Sequence, residues 1–399
     1  MLNLRKLSEI GDVAGKTVLL RADLDVPVQG EQVLENYRLV KLLPTIKDLV
    51  SKKARVVIIG HRGRPEGKYQ DDMSLLPVRF ELGKLLNTHI KFAHIPSSRN
   101  SIRYMEDGEI LMLENVRFHP EEENEDAKIR KQFVEELASL GHAYVNDAFA
   151  TYRKHASTYE LALAFEERFA GIQFGFEIER LSALIENIPH PYVAVIGGAK
   201  LDTKIDVLLK LVTQADHVLI GGAMAYTFLK AQGVNVGDSK VEDDKIETAK
   251  KILELAKKHN CDVMLPIDHI AGKEFVESTK PEEVSSAAIP KGLIGLDIGE
   301  RTLAQYMEII KSAKAILWNG PMGVFEWANF SRGTEAVGEY IGLSAPHDTY
   351  KVAGGGDTIT AMNRLKINMK NFAHVSTGGG AMLAFLAGEK MPTVEALLK

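Results

Sequence analysis

PYVAVIGGAKLDTKIDVLLKLV (191–212) is the stretch that decides the fold. It opens on an apolar run of strand length, turns on Gly197-Gly198 and continues in a helical pattern. Strands that alternate with helices in this way build parallel sheets covered on both faces. The same order returns in DHVLIGGAMAYTFLKAQ (216–232), KVAGGGDTITAMNRL (351–365) and FAHVSTGGGAMLAFL (372–386). AILWNGPMGVFE (315–326) adds a fifth strand with a glycine-containing loop. Over 243–259, Ile246, Ala249, Ile252, Leu253 and Ala256 share one side of a helix, a core-facing stripe.

Moving outward, TVLLRADLDVP (17–27), ARVVIIGHRGRP (54–65), EILMLENVRFHP (109–120) and AYVNDAFA (143–150) each begin with a strand-like run. AKIRKQFVEELASL (127–140) places Ile129, Phe133, Leu137 and Leu140 at helical spacing, which predicts one buried face. The acidic run 121–126 reads as a solvated loop. AGIQFGFEIERLSALIENIPHP (170–191) has Gly171 and Gly175 before a helical stretch and Pro189 and Pro191 after it, the punctuation of a connector. A chain of 399 residues exceeds what one core usually supports, so two domains are expected.

Composition narrows the function classes. One cysteine, Cys261, forbids an intrachain disulfide and suits a reducing compartment; in CDVMLP it reads as a buried, inert thiol. Neither CxxC nor HExxH occurs, which argues against a structural zinc site. A net charge of -5 argues against general nucleic-acid binding. Arg5, Lys6, Asp12 and Lys16 interrupt every candidate signal stretch, and no window approaches the roughly 18 apolar residues of a membrane span. A cytoplasmic protein with no membrane partner is the expectation.

In open parallel sheets, ligands bind beyond the carboxyl ends of the strands. In the N-terminal half those ends carry Arg21, Asp23, Asp25, His61, Arg64, Arg117, Asn146 and Asp147. Guanidinium forks match carboxylate and phosphate oxygens. In the C-terminal half the ends carry glycines, which let backbone N–H groups approach phosphates at helix starts. One half is built for a small anion and the other for a nucleotide.

Individual residues leave two readings open. Lys200 and Lys204, four apart at a helix start, are a solvated pair or a clamp on transferring phosphates. Asp357, after Gly354-Gly355-Gly356, caps a helix or holds magnesium. Ser376 and Thr377 cap or bind. His61 is a turn histidine or an anion ligand, and Arg38 and Arg153 could equally be surface residues. None of the glycine loops matches GxxxxGK[ST] or GxGxxG, which disfavours a P-loop ATPase and a nicotinamide oxidoreductase.

RADLDVP, HRGRP, LENVRFHP, NDAFA, YRKHAS, GGAKLDTKIDVL, WNGPMGVFE, AGGGDT and STGGGA occur in the order and approximate spacing of the phosphoglycerate kinase family, and the resemblance covers essentially the whole chain. It implies two Rossmann-like, doubly wound parallel-sheet α/β domains joined by a helix, with a cleft between them. The domains would be 1–172 for phosphoglycerate and 189–387 for nucleotide, with 173–188 as the connecting helix and 388–399 packing back on the first. It implies reversible phosphoryl transfer between 1,3-bisphosphoglycerate with MgADP and 3-phosphoglycerate with MgATP, in glycolysis and gluconeogenesis, through domain closure. By resemblance the phosphoglycerate ligands are Asp23, Asp25, Arg38, His61, Arg64, Arg117, Arg153 and His155. The nucleotide ligands are Gly198, Lys200, Lys204, Gly221, Gly222, Leu296, Asn319, Pro321, Glu326, Gly355, Gly356, Asp357 and Thr358. Arg38, Lys200, Gly356 and Gly379 are the implied catalytic residues, Lys200 following the transferring group. Asp357 is the magnesium-side carboxylate, and a monomer is implied.

The family's RxDxNVP has Asn where this chain has Asp25, and its HLGRP has Leu where this chain has Arg62; Ala150, Tyr152 and Lys154 also depart. Asp25 and Arg62 are opposite in sign on neighbouring loops, so a pair between them is expected, against the alternatives that Asp25 meets Arg21 or water. A closing protein that only binds an anion would have no use for the glycine-rich half. Magnesium-dependent ATP turnover with 3-phosphoglycerate separates these classes.

Overall fold

Each glycine-ended run of the C-terminal half becomes a strand of one sheet. In the computed structural model, which describes residues 2–346 and 348–399, the strands lie in the order Asp262–Met264, His217–Ile220, Tyr192–Ile196, Ala315–Asn319, Tyr350–Gly354, His374–Ser376. All pairs are parallel. Counted along the chain this is 3-2-1-4-5-6, the order of dinucleotide-binding sheets, with the switch point between Tyr192–Ile196 and Ala315–Asn319. Every residue of those two strands is buried, as continuous apolar runs covered on both faces must be. The sequence reading had no counterpart for a three-stranded antiparallel sheet, Glu282–Val284, His269–Gly272 and Ile294–Ile298. It closes over its own small core of Tyr226, Leu229, Val236, Ala271, Val284 and Ile289.

The N-terminal half forms a second parallel sheet, ordered Ile90–Ala93, Ile110–Leu113, Arg55–Ile59, Thr17–Arg21, Ala143–Asn146, Arg168–Ala170. Its switch point falls between Thr17–Arg21 and Ala143–Asn146, both buried throughout. The two doubly wound parallel sheets expected from the sequence are therefore present.

One helix departs from its reading. In Ala127–Ala138, Phe133 and Leu137 are buried but Ile129 is 45% exposed. Asp126 caps the helix through Lys128 N (2.8 Å), and the inner side of the first turn is taken by Arg130. The buried Arg130 guanidinium donates to Glu160 Oε1 (2.8 Å) and to the carbonyls of Asn124 and Glu125. The apolar stripe starts only at Phe133.

The chain divides into two compact units. The first runs to Glu179 and takes in Lys390–Lys399; the second is Arg180–Glu389. The division falls inside the helix Ile172–Ser182, which stops short of the predicted end at 188; Asn187 beyond it has a positive φ of 54°. Within the first unit, Arg5 N donates to Leu397 O (2.9 Å) and Arg168 Nε to Ala396 O (2.7 Å). Cys261 is 6% exposed, and burial pushes its thiol up to about 12, so it is inert.

Candidate functional site

In the Arg180–Glu389 unit, the switch point is built from three loops that touch by backbone. Gly197 N donates to Asn319 O (2.9 Å), Gly198 N to Pro321 O (2.8 Å) and Gly222 N to Met322 O (2.8 Å). Gly222 has φ +68°, and a β-carbon there would collide with the Gly198 backbone. The approach is possible only without side chains.

A cavity of about 520 Å³ opens beside these loops. Its lining includes Gly198, Gly222, Leu296, Pro321, Glu326 and Asp357, together with Tyr226, Phe275 and Phe325. A second cavity of about 240 Å³ is lined by Lys204, Asn319, Gly355, Gly356, Asp357, Thr358 and Gly379. Asp357 belongs to both. Two helices, Gly356–Arg364 and Gly380–Ala387, begin at the smaller cavity, so the positive ends of their dipoles favour negative charge there. An apolar and aromatic chamber joined to an amide-lined one suits a base and its phosphates.

Lys204 supplies the buried cation. Its Nζ donates to Gly197 O, to Asn319 O (3.2 Å) and to Asn319 Oδ1 (2.6 Å). Burial pushes the ammonium down to about 8, and Asp357 acts in the opposite direction. Asn319 also donates through Nδ2 to Gly354 O (2.6 Å), and Thr358 Oγ1 accepts from Gly320 N and donates to Gly354 O (both 2.8 Å). Asn319 and Thr358 therefore staple the loops together.

The pairing of Lys200 and Lys204 on one helical face is corrected. The helix begins only at Ile205; Lys204 ends a short 3-10 turn and points inward, whereas Lys200 lies exposed in the preceding loop. Lys200 lines neither cavity, and nor does Gly221, which is packed against Met322.

In the first unit, the structure gathers Asp23, Arg38, His61, Arg117 and His155. Arg38 Nη1 donates to both oxygens of Asp23 (2.9 and 2.8 Å). Arg117 donates to Gly63 O (2.8 Å) and pairs with Glu123 (2.7 Å). His61 is held well below its ordinary range by burial and then by Arg21, Arg117, His155 and Arg38. Burial and then Arg117 push His155 down to about 3, so its 3.5 Å contact with Glu123 is no ion pair at neutral pH. Neither histidine therefore adds positive charge to this face at neutral pH. Arg117 Nε and His155 Nδ1 are buried without a hydrogen-bond partner among the described residues. Arg64 is exposed and makes no hydrogen bond or ion pair among the described residues; Arg153 is exposed, with its guanidinium over the Tyr152 ring.

Two further expectations are corrected. Arg62 does not pair with Asp25: its guanidinium donates to the carbonyls of Ser74 (3.3 Å) and Asp72. Asp25 meets neither Arg21 nor Arg62 but accepts from Gly63 N (2.9 Å). Backbone groups downstream of both, at Gly63, Asp72 and Ser74, take up the two side chains, and Asp25 is otherwise exposed to water, as one alternative had it. Nor is the acidic run a solvated loop throughout. Glu122 is fully buried and accepts from Ser157 Oγ (2.6 Å) and Ser157 N (2.9 Å). Glu122, Glu123 and Ser157 were missed by the sequence reading. A usable signal existed for Arg21 alone, a charge ending an otherwise apolar strand, which must find partners when buried.

Glycine loops, helix starts and a buried lysine at one switch point, with guanidinium groups at the other, define a two-unit α/β phosphotransferase. The comparisons agree. The family profile "Phosphoglycerate kinase" matches residues 7–389. The chain is 41% identical to the phosphoglycerate kinase of Clostridium novyi (strain NT), with 99% of each chain covered. Its fold matches the solved structure of phosphoglycerate kinase from Coxiella burnetii with a TM-score of 0.84 at 36% identity, covering 99% of this chain and 98% of that one. For the crystal structure of the Pyrococcus horikoshii OT3 enzyme the TM-score is 0.87 at 32% identity, with the same coverage. The chain belongs to the phosphoglycerate kinase family, enzymes of the glycolytic phosphoryl transfer between 1,3-bisphosphoglycerate and ADP.

Proposed function

We propose that the Arg180–Glu389 unit holds MgADP or MgATP and that the first unit holds the phosphoglycerate. The observation that carries this division is the pair of cavities sharing Asp357, around which eleven of the thirteen expected nucleotide residues lie. The base and ribose occupy the larger cavity, with Glu326 on the ribose. The phosphates occupy the smaller one, against the amides of Gly355, Gly356 and Gly379. The phosphoglycerate is met by Arg38, Arg117, His61, Arg64, Arg153 and His155, with Asp23 aiming Arg38 and Asp25 at the loop Arg62-Gly63-Arg64.

In the ATP-consuming direction the nucleophile is a carboxylate, already ionised at pH 7, so no general base is required. The lowered basicity of His61 and His155, both depressed first by burial, fits that absence. The chain's own contribution is positioning and charge: Arg38 and Lys200 on the transferring group, and amides at two helix starts on the oxygens around it. Direct transfer requires both ligands to meet, so the reading includes closure of the units during turnover, which would keep water out.

Asp357 suits magnesium. Among the described residues no group of three or more His, Cys, Asp or Glu could hold an ion unaided. Mg²⁺ is bound typically through one or two carboxylates plus substrate phosphates, which a single carboxylate at the junction of the two cavities provides. When bound, the ion neutralises phosphate charge. A cytoplasmic monomer completes the reading, supported by the lone buried thiol and tested by sedimentation against the 44.1 kDa chain.

Calorimetry tests the division. Glu326→Ala should weaken MgADP and leave 3-phosphoglycerate unchanged, and Arg38→Ala should do the reverse. Crossed effects would refute it.

A further inference from the structure

Arg21 ends the strand Thr17–Arg21 and is fully buried, yet the mechanism gives it no role. All three of its nitrogens donate inward. Nη1 donates to Ala22 O (2.6 Å), Nε to Ser157 Oγ (2.8 Å) and Nη2 to His61 Nδ1 (2.8 Å). Ser157 Oγ in turn donates a hydrogen bond to Glu122 Oε1 (2.6 Å), and Ser157 N donates to Glu122 Oε2 (2.9 Å). A guanidinium cannot accept a hydrogen bond. His61 Nδ1 must therefore offer its lone pair, and the ring proton must sit on Nε2. Burial comes first among the influences that oppose a second proton on the ring, followed by the neighbouring Arg21 and Arg117, with Arg38 contributing less.

The geometry points to Glu122, Ser157 and Arg21 as a buried positioning relay that fixes His61 as a neutral Nε2–H donor toward the bound anion. Arg21 acts through His61 and does not touch the substrate. Glu122 faces the guanidinium at one hydroxyl's remove; burial pushes its carboxyl up to about 7 against the pull of Arg21, so its compensation of the guanidinium grows as pH rises through 7, and the spacing leaves Nη2 free for the imidazole. Without the Ser157 hydroxyl, the guanidinium would turn to Glu122 directly and release the ring. The inference rests on the reading that His61 faces the phosphoglycerate.

The test is ¹⁵N NMR of the His61 ring in the full-length enzyme, with steady-state kinetics. In the wild type the ring should be protonated at Nε2 only, from pH 6 to 8. Ser157→Ala and Arg21→Lys should give mixed tautomers. Each should raise KM for 3-phosphoglycerate about tenfold, the worth of one well-aimed hydrogen bond, with KM for MgATP within about twofold. Should Ser157→Ala fail to fold, the wild-type tautomer and Arg21→Lys still decide. An Nδ1–H or doubly protonated ring in the wild type, or an unchanged tautomer in both variants, overturns the relay. An unchanged KM in His61→Ala instead overturns the anion-site reading beneath it.

Discussion

In the Arg180–Glu389 unit, the switch point presents backbone amides from loops that lie against one another, with one ammonium sealed beneath them. In the first unit three guanidinium groups are each aimed by something else: Arg38 by Asp23, Arg117 by Glu123 and the Gly63 carbonyl, and Arg21, toward His61, by Ser157. Backbone donors are fixed by the course of the chain, so they fail when atoms are added. Side-chain donors are fixed by partners, so they fail when atoms are removed. The contrast can be tested from both sides.

The largest effect is expected at Lys200, an exposed loop cation that lines neither cavity. Lys200→Ala should lower kcat by roughly 10²–10³, as when a transition-state donor is lost, with KM for MgATP little changed. Near-normal kcat would remove Lys200 from the mechanism. Next comes Gly222→Ala. One methyl at φ +68° against Gly198 should cost about 1–3 kcal/mol of strain. Calorimetry should show weaker MgADP binding and unaltered 3-phosphoglycerate binding; a normal MgADP affinity would show that the loops yield.

A pH series separates charge from packing. With Lys204 pushed down to about 8, MgADP affinity of the free enzyme should decline as pH rises through 8. Folding stability should move the other way. Between about 8 and the ordinary lysine value near 10.4, the unfolded chain binds more protons, so this lysine's contribution to stability rises with pH. Lys204→Met should flatten both trends; if it flattens neither, another group titrates. The smallest effect belongs to the departures from the family pattern. Because Asp25 and Arg62 bond to backbone and not to each other, Asp25→Asn and Arg62→Leu should add within about 0.5 kcal/mol in KM for 3-phosphoglycerate. Strong coupling would reinstate the pair.

The edge strands Ile90–Ala93, Arg168–Ala170 and Asp262–Met264, only three or four residues long, were not legible; the central strands were, because apolar runs ending in glycine or arginine carry local information. Most of the glycine loops were legible for the same reason, since a strand, a glycine pair and a helix occupy fewer than twenty-five residues. What escaped was long-range. Glu122 lies 35 residues from Ser157, and nothing in an acidic run marks the one carboxylate that turns inward. Lys204 reaches an acceptor 115 residues away, so its burial cannot be read from four-residue spacing. The antiparallel sheet at 269–298 has strands of three to five residues, too short for a clear alternation.

The attachment of Lys390–Lys399 to the first unit has a consequence in time. Arg5 and Arg168 each wait for a carbonyl from that segment, and 210 residues (180 to 389) are made in between. At ribosomal speeds of about 5–20 residues per second, the wait is roughly 10–40 s. During it, the Arg180–Glu389 unit can finish folding while the first unit still lacks one edge. A nascent chain halted at Glu389 should accordingly be protease-resistant over 180–389 and nicked near residues 2–10 and 164–170. Equal protection of both units would mean that the closing segment is dispensable. The older part of the polypeptide is, on this account, the last to mature.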